Sequence, residues 1–390
     1  MRTVEIVEID FPRCVLTYGV APCTAAVGVT GAQKCFNTAR TCQDRENYDE
    51  GATTLRFIRP SAEPDNYDAI PSLARVDIVP AIIEPGLSIG QRETANVVFT
   101  DHPDSDVLTD PYFAERTYDP FATGTFWGKI RARLPTLRGS TLRLYRGEEG
   151  QAISVMDSWT YVIETVQGPA RGSFSIKAKD PLKFLDGDRA QAPAVTPGIL
   201  AEAIGTGNGA VDILPAGAGD LYYPAAGAVA IGGSEVCSFT RIGDVMTLLR
   251  AQSGTEAVAH DQFEGVQLVL AYDGESPADI LYDLITEYTD LDPMWLPLTD
   301  WQNEMNLYIN RLYSAQIAEP TPVRKLVDEL IEQVGLVVWA DLKMERINVT
   351  ALRPVSDTAI IYSEDRIMGG TLGSKEQLDK RVSQVWTYIG

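Results

Sequence analysis

Four of the five cysteines fall at 14, 23, 35 and 42, inside a stretch, residues 12–54, that otherwise carries few regular patterns. A connection of that length is roughly three times the usual upper range, so it is expected to be functional, stapled or disordered. Four thiols argue for stapled. The spacing is C-x8-C-x11-C-x6-C. Two disulfides would suit a secreted domain, but Glu5, Glu8 and Asp10 interrupt any apolar signal core, and cytoplasmic thiols stay reduced. A structural zinc site usually draws two sulfurs from one tight C-x2-4-C turn. An iron–sulfur cluster is larger and accepts ligands from wider-spaced loops. Spacing therefore predicts that Cys14, Cys23, Cys35 and Cys42 share one metal centre, with zinc and iron–sulfur both open.

The rest of the 390-residue chain reads as mainly β, with an α+β C-terminal part. Residues 3–11, rich in β-branched side chains, predict a strand. The segments ARVDIVPAII, ETANVVFTDH, LRLYR, WTYVIETVQG and SFSIKAKD alternate in the same way, broken by Gly and Pro. The divisions that follow are 1–54 (strand and four-cysteine loop), 55–195 (β-rich domain), 196–270 (small β domain) and 271–390 (α+β domain). Two helices are expected. One starts at Ser276 with Pro277 as its first residue, its apolar face Ile280, Leu281, Leu284, Ile285 and Tyr288. The other starts at Thr321 with Pro322 first and ends at Gly335. A hairpin, LVVWAD then RINVTAL, comes next, and TYIG at the end reads as strand.

Net charge is −21, a surface that repels nucleic acid, although a conduit through which DNA slides without sticking is compatible with it. The charge is uneven. Lys129, Arg131, Arg133, Arg138, Arg143 and Arg146 form a basic run without an acid, and Asp273 to Glu304 is acidic without a base. These two stretches are candidate faces for head-to-tail pairing between subunits. No apolar run approaches the roughly 18 residues of a membrane span, and folding in a cytoplasm is expected.

Other chemistry-bearing residues are weak candidates. Cys237 reads as a small buried side chain. His102, with Asp101, Asp104 and Asp106, reads as a solvated Asx-rich turn more than a hard-cation site. His260 lacks a nucleophile to serve. GTGNGA at 205–210 precedes a strand, VDILP, so it reads as a turn and not a phosphate loop. With no nucleophile elbow, zinc-protease helix or P-loop, no catalytic residue is expected.

KCFNTARTCQDRENY (34–48) resembles the cysteine motif of the tail-tip, or baseplate hub, proteins of siphophages and gene transfer agents. EPGLSIGQRETANVVFTDHPDSD (84–106), TYDPFATGTFWGKIRARLP (117–135), KDPLKFLDGDRAQAP (179–193), SFTRIGDVMTLLRAQSGTEAVAHDQFEGVQ (238–267) and EPTPVRKLVDELIEQVGLVVWAD (319–341) resemble the same family in the same order. The resemblance, to the lambda-type family, implies a [4Fe–4S] cluster on Cys14, Cys23, Cys35 and Cys42, with zinc as the alternative. It further implies a multi-domain hub with tail-tube-like β-barrel or sandwich domains, three copies closing a ring at the virion tail tip. The partners implied are a distal tail protein ring, a central fibre and other tail-tip proteins, with phage DNA passing nearby and no membrane span. A receptor- or fibre-attachment protein is the alternative role, and a cell-wall hydrolase or iron–sulfur oxidoreductase a more distant one.

Overall fold

Ten strands and one helix build the first part of the molecule, in a computed structural model that describes residues 2–187, 190–207 and 209–353. The strands are Thr3–Cys14 (β1), Glu50–Ile58 (β2), Ala69–Ile70 (β3), Leu73–Val79 (β4), Ile82–Glu84 (β5), Ser88–Gln91 (β6), Thr94–Thr100 (β7), Thr141–Glu148 (β8), Asp157–Ala170 (β9) and Ser173–Lys179 (β10); the helix, α1, is Phe126–Arg133. Eight of them form one sheet in the order β3-β2-β1-β8-β9-β10-β7-β4. Its two edge strands, β3 and β4, are separated in the chain only by Pro71 and Ser72, and the Ser72 carbonyl accepts from Thr100 N–H at 2.7 Å. The sheet thus curls into a nearly closed barrel. Closure leaves little unpaired edge for adventitious strand addition.

The strand pattern follows from alternation. On β1, Val7, Ile9 and Phe11 are fully buried in the main core. Glu8, between them, stands in register with Arg56 of β2 and Arg143 of β8, and pairs with both at 2.9 and 3.2 Å. Asp10 meets Arg143 at 2.9 Å, and Glu5 meets Arg146 at 3.1 Å. Trp127 of α1, fully buried, stacks on Phe174 at 4.1 Å and on Phe57 at 5.3 Å, plugging the barrel interior. Burying each such large apolar side chain contributes roughly 1.5–3 kcal/mol.

Gln191–Ala192 (β11) leads out of the barrel into a second sheet. Its strands are Ile199–Leu200 (β12), Gly209–Leu214 (β13), Ala226–Ile231 (β14), Glu235–Ile242 (β15), Val245–Gln252 (β16) and Val266–Leu268 (β17), with the short helix Ala218–Tyr222 (α2). They order as β12-β13-β16-β15-β14-β17 around a core of their own. The remaining elements are Leu270–Glu275 (β18), Pro277–Thr286 (α3), Leu298–Tyr308 (α4), Tyr313–Ile317 (β19), Thr321–Pro322 (β20), Val323–Val334 (α5), Leu336–Asp341 (β21) and Arg346–Ala351 (β22). Their buried side chains, among them Leu284, Trp301, Ile331 and Val349, join the barrel core in one continuous cluster. The division at 54/55 falls within β2, and 196–270 brackets the second sheet.

The expected helix after Ser276 is present, with the Ser276 side chain accepting from Ala278 N–H. The second helix begins at Val323, not at Pro322, because Thr321 and Pro322 pair as β20 with Ala192 and Gln191. It ends as expected at Gly335, whose φ of 77° is the left-handed conformation that glycine adopts without strain. The hairpin pairs Asp341 with Arg346 as its innermost pair. Helices α1 and α4 were not anticipated; α4 buries only Trp301 and Met305, too sparse a stripe to stand out. The TYIG strand and the C-terminal part of the 271–390 segment lie outside the described residues.

The basic run at 129–146 is not a surface face. Arg143 and Arg146 pair with β1 carboxylates as above, while Lys129 and Arg133 are buried against Asp106 at 3.2 and 2.8 Å. Four of its six cations are therefore already neutralised within the chain, and a ring contact built on this run is not what the fold offers.

Inside the second sheet, Glu235 is fully buried and accepts from both Nε and Nη2 of Arg250, from Ala251 N–H at 3.0 Å and from Val258 N–H at 3.0 Å, with His260 Nε2 at 3.1 Å. The other ring nitrogen of His260 meets Glu264 at 2.7 Å. Burial alone would raise the Glu235 pKa; the donors outweigh it and hold the carboxyl well below the usual range. A carboxyl depressed on folding contributes stability that is complete above its unfolded pKa of about 4.3 and is lost as pH falls through its folded value. Urea unfolding of the wild type should therefore weaken progressively below about pH 4. Glu235→Gln should lose about 3 kcal/mol near neutral pH, with a flatter acid limb, because it removes the buried carboxylate that Arg250 and His260 face. Equal acid limbs in the two proteins would contradict this. Cys237, also fully buried beside this network, has its thiol pushed up to about 12 by burial and by Glu235, consistent with an inert side chain.

Candidate metal centre

The long connection between β1 and β2 begins where their pairing ends, at Cys14 opposite Glu50. Nine register pairs, from Ile6–Ile58 to Cys14–Glu50, fix the two ends of the loop before it leaves the barrel. The loop itself buries little: Tyr18, Ala25 and Cys35 form its small cluster, with Cys23 and Tyr112 against them. So few apolar contacts cannot fold some 35 residues unaided.

Polar contacts from the barrel supply part of the missing order. Asn37, with φ 53°, donates its side-chain N–H to the carbonyls of Cys14 and Leu16, while its own carbonyl accepts from Cys14 N–H at 2.8 Å. The Phe36 ring lies between two guanidinium groups, Arg116 at 4.2 Å and Arg133 at 4.1 Å. Such contacts strengthen when shielded from water. Arg116 donates to the carbonyls of Lys34 and Cys35 and pairs with buried Asp110 at 2.7 Å. Arg13 bridges the carbonyls of Phe36 and Thr109. At the far end of the loop, Asp44 accepts from Thr24 N–H at 2.6 Å, tying the segment after Cys23 to the segment after Cys42.

All four predicted ligands, Cys14, Cys23, Cys35 and Cys42, line one narrow pocket, together with Tyr18, Asn37, Asp44 and Tyr48. None is in a disulfide. Among the described residues, no group of three or more Cys, His, Asp or Glu side chains is arranged to hold a metal ion as it stands. The thiols are distributed around the pocket. Asp44 N–H points to Cys42 Sγ at 3.4 Å. Burial pushes the Cys35 thiol up, and Cys42, Cys23 and Cys14 push it the same way. Four thiolates so placed repel one another until a cation neutralises them. The donor set, all sulfur with a backbone N–H on one of them, fits a soft metal or an iron–sulfur cluster, which takes ligands at separate corners.

No protein-family model matches the chain. No curated protein matches it. Among solved structures, it is similar to a chain of a structure described as "Virion of native gene transfer agent (GTA) particle", at 12% identity over 55% of this chain and 75% of that one, with a TM-score of 0.19.

The acidic turn near His102 is not the solvated turn expected. Asp104 and Asp106 are 7% and 1% exposed. Asp106 binds Arg133, Lys129, Thr109 and Tyr118, and Asp104 accepts from Thr109 at 2.8 Å. Its oxygens are thus occupied by the chain's own cations and hydroxyls, which removes the hard-cation reading. His102 stacks on Phe126 at 5.2 Å, and His260 is the core histidine described above. Sequence reasoning missed Arg13 and Arg116, and it placed Arg133 in a basic run and Asp106 in a solvated turn, whereas all four help hold the cysteine loop to the barrel.

Proposed function

We propose that this chain is a structural virion protein, a tail-tip hub subunit of a long-tailed phage or gene transfer agent, whose Cys14, Cys23, Cys35 and Cys42 hold a [4Fe–4S] cluster. The observation that carries the reading is the convergence of all four loop thiols on one pocket at the open end of the β1–β2 pair. The ordered series of resembling segments supports the tail-tip assignment, and a curled sheet suits a ring-forming subunit. In this reading the cluster is a staple. Its four metal–thiolate bonds stabilise a loop that packs too little apolar surface to order itself. The chain carries out no catalysis. Three copies close a ring in contact with a distal tail protein ring and a central fibre, and the overall negative charge lets DNA pass without adhering.

Protein purified without oxygen should be brown and contain about four iron and four sulfide per chain, with visible absorption that bleaches on cluster loss. One zinc per chain without sulfide would replace the cluster by a zinc site. Mass measurement together with the tail neighbours should give a three-copy ring, and monomer alone under those conditions would remove the ring from the proposal.

A further inference from the structure

A second site lies away from the cysteines, where the segment after β10 faces the end of α3. Lys183 sits in the 3-10 turn Pro181–Asp186 and is 7% exposed. Among the described residues its ammonium makes no hydrogen bond and no ion pair. The carboxylates that act on it are engaged elsewhere: Glu164 pairs with Lys177 and Lys179, and Asp186 with Arg92 and Arg324. The stem of the side chain is covered, but the ammonium is not wholly cut off from water and is free to take a ligand from the adjoining pocket. Burial and the nearby Arg138 both push the Lys183 pKa down.

Lys183 and Arg138 line one pocket of about 550 Å³, within the range of small-molecule sites. Among the described residues Arg138 bonds only through its backbone N–H, to the Thr136 hydroxyl, and its exposed guanidinium is unengaged. Gly139, Val162, Phe184 and Ala190 add walls, and the exposed Glu287 and Asp290 also line it; neither is among the charges that act on Lys183.

We propose that this pocket binds a small oxyanion, a phosphate or carboxylate group held between the Lys183 ammonium and the Arg138 guanidinium. An ammonium gives a point charge, and a guanidinium gives a planar fork that matches two oxygens of either group. The two lining carboxylates disfavour a polyanion such as a nucleic-acid backbone and favour a ligand that carries little further negative charge.

The test is calorimetric titration of the full chain with inorganic phosphate and, separately, with succinate, at constant ionic strength against chloride. Saturable binding of one anion per chain is expected, accompanied by a rise of roughly 2–4 °C in Tm at saturation. Preference for phosphate assigns a phosphoryl ligand, and preference for succinate a carboxylate. Lys183→Met should weaken binding by at least about tenfold. In anion-free buffer Lys183→Met should unfold no lower than the wild type, since the unneutralised charge is gone. Arg138→Gln, at an exposed position, should fold normally and weaken binding severalfold. Absence of saturable binding to wild type up to about 10 mM of both anions would overturn the proposal. Undiminished binding in both variants would overturn it equally, marking an adventitious ion only.

Discussion

Cys35→Ser should yield a colourless protein with iron and sulfide reduced to a small fraction of the wild-type content. Cys35 is the most enclosed of the four thiols, 9% exposed, and its neighbours Phe36 and Asn37 are held by Arg116, Arg133 and the carbonyls of Cys14 and Leu16. Its sulfur therefore has little freedom to be replaced by another donor. Serine keeps the volume but offers a hard, protonated oxygen in place of a soft thiolate. Loss of one corner should release the segment around Cys23, where the local contacts are turns and the Thr24–Asp44 bond. Limited proteolysis should then cut within 15–49. Far-UV circular dichroism should change little, because the nine β1–β2 pairs precede the loop. Cys237→Ser, in the separate core of the second sheet, should retain full metal content. Full iron content in Cys35→Ser would remove Cys35 from the ligand set.

Asp106→Asn should destabilise the barrel by about 3 kcal/mol, a large fraction of the stability of a typical domain. One carboxylate faces both Lys129 and Arg133, each nearly buried, and also accepts from Thr109 and Tyr118. Removing its charge leaves Arg133 without its carboxylate and Lys129 with only the longer contact to Asp104, 3.6 Å, in a site with little water. Asparagine is the informative substitution because residue 106 has φ 67°, a conformation asparagine tolerates, so backbone strain does not enter. Burial would raise the Asp106 pKa, but Arg133 and the hydrogen bonds hold it below the usual range. Its contribution is therefore present above about pH 4 and disappears as pH falls through the folded value. Arg133 also covers one face of Phe36, so the same variant should make the cysteine loop more open to protease even with metal bound. Lys325→Ala, an exposed helix position, is the control and should change stability by less than about 0.5 kcal/mol. Urea unfolding decides between these outcomes; an Asp106→Asn protein as stable as the control would show that the ion cluster contributes nothing net.

Much of this fold was legible because local pattern and final environment agree. ETANVVFTDH and SFSIKAKD became β7 and β10, paired with each other, since alternation records which side of a sheet faces the core. ARVDIVPAII was read as a single strand and is two, β4 and β5, parted at Pro80, a residue that cannot donate to a ladder. Helix α3 announced itself by Ser276, Pro277 and a full apolar stripe, whereas α4 exposes Leu307 and Tyr308 and hides its signal. At the candidate metal centre the spacing grouped the four cysteines, and all four line one pocket. Their anchors were not legible, because Arg13 and Arg116 reach partners 96 and 81 positions away, and a long-range contact leaves no periodic trace. The basic run misled for the same reason: the acids that neutralise Arg143 and Arg146 lie 133 and 141 positions earlier, on β1.

The second sheet enters and leaves the barrel through one doorway. Thr196, on the way in, bonds Gln267, Val266 and Leu268, on the way out, and Gln267 returns to Ala194. The roughly 70 residues between them thus begin and end side by side, around a main core of their own. To the host barrel such an excursion is close to a short loop, since the entropy of joining two neighbouring ends grows only slowly with what lies between. This geometry makes the segment a detachable cassette. Cutting it out and joining the two sides of the doorway is expected to leave every strand of the barrel in register.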